Sequence, residues 1–169
     1  MNRKLKGVKR VEKELNKFLK QFGLNAVLST EFYYLPAKNK VAFTFIEAPN
    51  DKWFMEFFNS LAPEIECCEF LASLLHEVGH SATYEDFSDE DWDMYYLRCD
   101  SLEAHGHAAT DREINFEYFN LPTERAATEW AIEFMRSHTE EVKVFWHNMT
   151  KVIEWFYKIN YVEVEEVGC

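Results

Sequence analysis

The chain has 169 residues, of which 47% are hydrophobic and 17% aromatic, and its net charge is −12. This is enough apolar material for one domain with a sizeable core, and it excludes a disordered chain. The carboxylate excess argues against nonspecific nucleic-acid binding, which needs lysine and arginine to neutralise phosphates.

Only five glycines and four prolines favour long helices over many tight turns. Leu5, Val8, Val11, Leu15 and Phe18 recur at three- and four-residue spacing, which predicts an amphipathic helix over 3–21, stopped at Gly23. The first twenty residues are basic, unlike the rest, and read as a solvated helix face. Residues 25–36 read as one strand ending at Pro36, and 41–47 as a second, the two forming an antiparallel hairpin. Asp51 or Asn50 is placed to cap a helix running to Leu61, with Pro63 beyond it. Ile65, Cys68, Leu71, Leu74 or Leu75, and Val78 make an apolar stripe on the next helix. Ser88 is placed to cap a helix over 89–103 in an acidic, aromatic stretch, and 104–120 reads as loop with short elements. A helix follows from about 121 to 138. A last one over about 139–159 carries Val142, Phe145, Trp146, Met149, Ile153, Phe156 and Tyr157 on one side.

No apolar run reaches the ~18 residues of a membrane helix, and no signal-type apolar segment opens the chain. Cys67 and Cys68 are adjacent in what reads as a buried helix, Cys99 and Cys169 stand apart, and no CxxC pair exists. Free thiols in a reducing cytoplasm are expected.

The chemistry concentrates in "HEVGH", residues 76–80. On a helix, residues four apart project from one face, so His76 and His80 can present two imidazoles to one ion. Zinc accepts such nitrogens at about 2.0–2.1 Å in a tetrahedral shell. Glu77, one position round, suits the proton of a water held there. Gly79 costs about 1 kcal/mol of helix propensity relative to alanine, and it would let another backbone or a substrate approach closely. A third ligand is needed. Candidates are His105, His107, the acidic residues of 85–93, Glu124, Glu129, and the late histidines His138 and His147. Glu124 opens a predicted helix and has small residues nearby at 126 and 127. Glu129 lies about 140° round the same helix and reads as solvated or paired. His105, His107, Tyr84, Tyr95 and Tyr118 are all candidates for stabilising an oxyanion.

"HEVGH" followed by "ERAATEWA" resembles the gluzincin metallopeptidases, whose second helix supplies a glutamate in the pattern Glu-x-x-Ala. Glu124, Ala127, Trp130 and Ala131 match at that spacing. The order of elements over roughly 3–137 looks most like the small ImmA/IrrE-type proteins, with the metallopeptidase-like domain of ArdC-type antirestriction proteins second. The resemblance implies an α+β, compact zincin-like domain over 1–169, mainly helical with a small antiparallel sheet, and a C-terminal helical extension over 138–169. It implies His76, His80 and Glu124 as ligands of Zn2+ and Glu77 as general base. Thr128 departs from the family, which often has Asp or Asn there as partner to a ligand histidine.

The function so implied is a cytoplasmic zinc metallopeptidase acting on a specific protein or peptide substrate, with no direct nucleic-acid or membrane partner. An extended substrate would pair with the edge of the sheet at the 41–47 strand. The surrounding acidity would favour basic residues near the cut. The competing reading is a non-catalytic acidic interaction protein, of antirestriction or DNA-mimic type, on the same scaffold.

Overall fold

A computed structural model describes residues 7–45, 51–104 and 111–161. The described chain is mostly helical with one small sheet, an α+β architecture. It opens with α1 (Val8–Leu19), which buries Val8, Val11, Leu15 and Phe18 of the spacing read from the sequence; Leu5 and the expected helix start at 3–6 lie outside the described residues. A short 3-10 turn, Lys20–Phe22, ends at Gly23, whose φ of +71° is the left-handed conformation that lets the chain reverse.

Three strands follow: β1 (Asn25–Leu28), β2 (Tyr33–Leu35) and β3 (Lys40–Phe43). The expected single strand over 25–36 is therefore two. Ser29, Thr30 and Glu31 break it, a polar cluster of the kind that favours turns. The sheet is mixed rather than antiparallel: its order is β1-β3-β2, with β1 parallel and β2 antiparallel to β3. The hairpin is β2–β3, closed by a 3-10 turn at Pro36–Lys38 and by Asn39 in the left-handed region. Residues 46–47, the end of the expected second strand, lie outside the described residues.

This order corrects the expected docking edge. β3 has partners on both sides and buries Val41, Ala42 and Phe43, so it has no free edge. The outer edge of β1 is closed by α1. Asn16 Oδ1 accepts from the Ala26 N–H at 2.7 Å, and Glu12 Oε1 from that of Leu28 at 3.4 Å. Such side-chain caps blunt an edge against foreign strands. β2 keeps the remaining edge.

The helices α2 (Asp51–Leu61), α3 (Glu69–Thr83), α4 (Asp89–Ala104), α5 (Arg112–Phe119), α6 (Pro122–Ser137) and α7 (Thr139–Tyr161) complete the order. α3 begins later than its apolar stripe implied, so Cys68 is an exposed N-cap rather than a buried helical residue. α4 opens with a reciprocal cap: Asp91 accepts from the Ser88 N–H and hydroxyl, and the Asp91 N–H donates to Ser88 Oγ. α7 packs on α1, with the Phe18 and Phe145 rings stacked at 4.0 Å, so the helix after 138 shares the main core. The tail over 162–169, Cys169 included, lies outside the described residues. Among the described residues no helix is long and apolar enough to cross a membrane.

The central contact is α3 against α6. A Cβ built on Gly79 would lie 2.3 Å from the Ala127 carbonyl oxygen and 2.9 Å from its Cα. These are backbone atoms, and they cannot turn aside as a side chain would. Glycine at 79 thus sets how closely the helices approach; Ala127, which faces it, and Ala131, one turn on, are fully buried. Gly79→Ala should gain up to about 1 kcal/mol in helix propensity but lose more, since overpacking costs about 1–3 kcal/mol. A net fall in melting temperature is expected, read by circular dichroism. An unchanged or raised midpoint would show that the helices are free to part.

Candidate metal centre

Helix α3 presents His76 and His80 one turn apart, their ring centroids 4.6 Å from each other and inclined at 81°. Glu124, in the first turn of α6, reaches both. Its Oε2 lies 3.1 Å from His76 Nε2 and its Oε1 3.5 Å from His80 Nε2. Two donors that each sit 2.0–2.1 Å from a tetrahedral ion are about 3.4 Å apart, so this spacing fits one ion between them. One donor atom from each of the three residues falls within 4.8 Å of the others, and this trio could hold a metal ion. The side chains of His76, His80 and Glu124 are 7%, 12% and 2% exposed.

Local sequence explains the placement. Pro122 at the first turn of α6 supplies a fixed φ where no N–H partner is needed. The carboxylate of Glu124 follows, where the helix dipole favours negative charge. One turn later, the Thr128 hydroxyl donates to the Glu124 carbonyl at 3.0 Å and lies 3.0 Å from His76 Nδ1. With its proton committed to the carbonyl, that hydroxyl can only accept from His76. The Nδ1 therefore carries hydrogen, and Nε2 is the nitrogen aimed at the cluster. Phe54 sets the ring edge-on at 5.1 Å. Threonine thus fills the role that the resemblance gives to Asp or Asn.

Glu77 is buried beside the cluster and takes a hydrogen bond from the Tyr34 backbone. It lines a cavity of about 360 Å³ together with His76, His80, Glu124 and β2 residues Tyr33 and Tyr34. Tyr95 of α4 donates to Glu124 Oε1 at 2.8 Å, and its oxygen lies 3.3 Å from that of Tyr118 at the end of α5. Burial and the Glu124 charge hold both phenols well above their usual range, so they stay protonated as donors.

All four site residues expected from the sequence meet in this cavity. Among the other candidates, Tyr95, Tyr118 and Tyr84 also line it. Glu129 does not: it is exposed and bonded to Arg125 at 2.8 Å. His138 stacks on Phe134 at 4.3 Å, and His147 is exposed on α7. His105 and His107 lie outside the described residues. Thr128 as partner to His76 was not foreseen, although its position four residues after Glu124, on the same helix face, was a usable signal.

The cluster is strongly coupled. Burial pushes the His80 pKa down, but the Glu124 carboxylate and then Glu77 outweigh it and raise it to about 9. Burial pushes Glu124 up, but the two histidines hold it well below the ordinary carboxylate value. Burial raises Glu77 against the pull of His80 and His76.

Consider the protein stripped of metal. The stability from a raised His80 is fully present below its unfolded value of 6.5 and is lost as pH rises through about 9. A raised Glu77 works in the same direction, favouring the fold at lower pH. The depressed Glu124 contributes above 4.5 and loses its share only in acid. In EDTA the melting temperature should therefore fall between pH 6.5 and 9. A saturating divalent cation should flatten that fall by replacing the proton. A profile in EDTA that is flat over this range would remove the coupling. Thr128→Val keeps the shape and deletes the hydroxyl; it should weaken divalent-metal binding about 10–100-fold with the fold intact. Titration against a chelator measures this.

Comparisons with protein-family models, with curated proteins and with solved structures find no match for this chain.

Proposed function

We propose that this chain is a zinc-dependent peptide hydrolase of the gluzincin type, acting in the cytoplasm on a protein or peptide substrate. One observation carries the reading. A cluster of two imidazoles and one carboxylate, an open donor set, lies in a cavity with a fourth group, Glu77, that is not needed to hold the ion. Structural zinc sites are usually closed by four ligands and rich in cysteine. Here none of Cys67, Cys68 and Cys99 lines the cavity.

A bound zinc ion would supply Lewis acidity, polarising a carbonyl and bringing the pKa of a water to about 7. The chain's residues do the rest. Glu77 accepts the proton of the attacking water and delivers it to the departing amine nitrogen. Thr128 keeps the His76 ring in its tautomer and angle. Tyr95, already a donor to Glu124, steadies the orientation of that carboxylate. Its neighbour Tyr118 donates its own phenol hydrogen to the Tyr95 oxygen, which fixes Tyr95 as the donor to Glu124. An extended peptide would lie along β2, the sheet edge at the cavity, where Tyr34 adjoins Glu77.

The competing reading, an acidic interaction protein, does not require Glu77. The variant Glu77→Gln separates the two. It should bind zinc as the parent does, and lose at least about 100-fold of its hydrolysis of a mixed peptide library, read by mass spectrometry. A Glu77→Gln protein as active as the parent would exclude Glu77 as the base.

A further inference from the structure

The cavity beside the cluster has a wall that hydrolysis alone does not explain. Its lining is rich in aromatic rings: Phe32, Tyr33 and Tyr34 come from the β2 segment, and Tyr84, Trp92 and Tyr96 from the 84–96 segment. Tyr84 stacks on Trp92 at 4.9 Å, and Tyr34 meets Tyr84 edge-on at 6.3 Å. The rings are not used up by packing: Tyr33, Tyr84 and Tyr96 remain 37%, 38% and 60% exposed.

The charge lining is one-sided. Among the described residues, three carboxylates line the cavity, Glu31, Glu77 and Glu124, and neither lysine nor arginine does. A divalent ion at the cluster offsets Glu77 and Glu124, which leaves Glu31, an exposed side chain at the turn into β2. The segment that carries Tyr84 and Trp92 adds six acidic residues over 85–93 and holds no basic residue before Arg98. Aromatic faces attract cations through their quadrupole, and a surplus of like charge around a cleft draws in the opposite charge.

We propose that this wall is a specificity pocket for a cationic side chain, arginine or lysine, of the peptide substrate, with Glu31 as its counter-charge. The inference rests on the peptide-hydrolase reading and names its substrate class. The cation lies against the exposed tyrosine faces while its stem crosses the cavity toward the cluster. Glu31 and Tyr96 determine specificity; neither takes part in the proton transfers assigned to Glu77.

Binding tests this without hydrolysis. Zinc-loaded Glu77→Gln protein is titrated with blocked tetrapeptides of alanine in which one position, moved along the peptide, is arginine, lysine, citrulline, leucine or glutamate. Citrulline keeps the shape of arginine and removes the charge. At one position arginine and lysine should bind about tenfold more tightly than citrulline or leucine. Glu31→Gln, and separately Tyr96→Leu, should reduce that ratio, and Glu31→Lys should shift preference toward glutamate. Equal affinity for arginine and citrulline at every position overturns the proposal. So does a ratio that survives Glu31→Gln and Tyr96→Leu combined, or the absence of measurable arginine-peptide binding at millimolar concentration. The two readings fail separately. Arginine selection without hydrolysis by the parent protein would sink peptide hydrolysis and leave the pocket; hydrolysis indifferent to charge would do the reverse.

Discussion

The carboxylate of Glu124 is the group on which the rest of the site depends. It is a charge almost wholly removed from water, and an ion in that position costs several kcal/mol unless it is paired. Its partners come from separate elements: His76 and His80 from α3, and Tyr95 from α4. Holding them within reach requires α3 and α6 to approach more closely than side chains at the crossing would allow, which is the service Gly79 performs against Ala127. The helix crossing and the cluster are therefore one design. A change that parts the helices also strands a buried carboxylate.

The sheet contributes by what it closes and what it leaves open. A three-stranded sheet has two edges that can recruit a foreign strand. One is occupied by Asn16 and Glu12 of α1, and the other, β2, runs past the cavity beside Glu77. An extended chain recruited to the open edge would arrive next to the donor cluster. The α1 side chains that seal β1, Asn16 and Glu12, are not its basic ones, and the buried side of α1 packs on α7. The acidic stretch after His80, opaque as sequence, becomes α4: one side supplies Trp92 and Tyr95 to the cavity, while Met94 and Leu97 stay exposed.

Much of the site was readable because helical geometry is local. Four-residue spacing puts His76 and His80 on one face whatever surrounds them, and glutamate in a helix's first turn is favoured by the dipole wherever the helix sits. The same holds for α1 and for most of α7, where Val142, Phe145, Met149 and Phe156 are buried as spaced, although Tyr157 is exposed and Val152 is buried instead. The errors were where partners lie far apart in sequence or in pairing order. The 25–36 stretch contains enough β-branched and aromatic residues for one strand, and only pairing with β3 on both sides reveals that it is two. Its polarity at Ser29 to Glu31 was the missed turn signal.

By itself, then, the sequence determined most of the helices, though not α5 or the start of α3, together with the pair of imidazoles and the candidate carboxylates, because each follows from short-range periodicity and residue chemistry. The resemblance singled out Glu124 among those carboxylates, and the structure brings it to the imidazoles; tertiary structure alone decided that Thr128 rather than an acid orients His76, which sheet edge stays open, and which rings wall the cavity. Those outcomes depend on how closely two helices pack and on the order of three strands. Both are contacts across dozens of residues, and no local pattern encodes them.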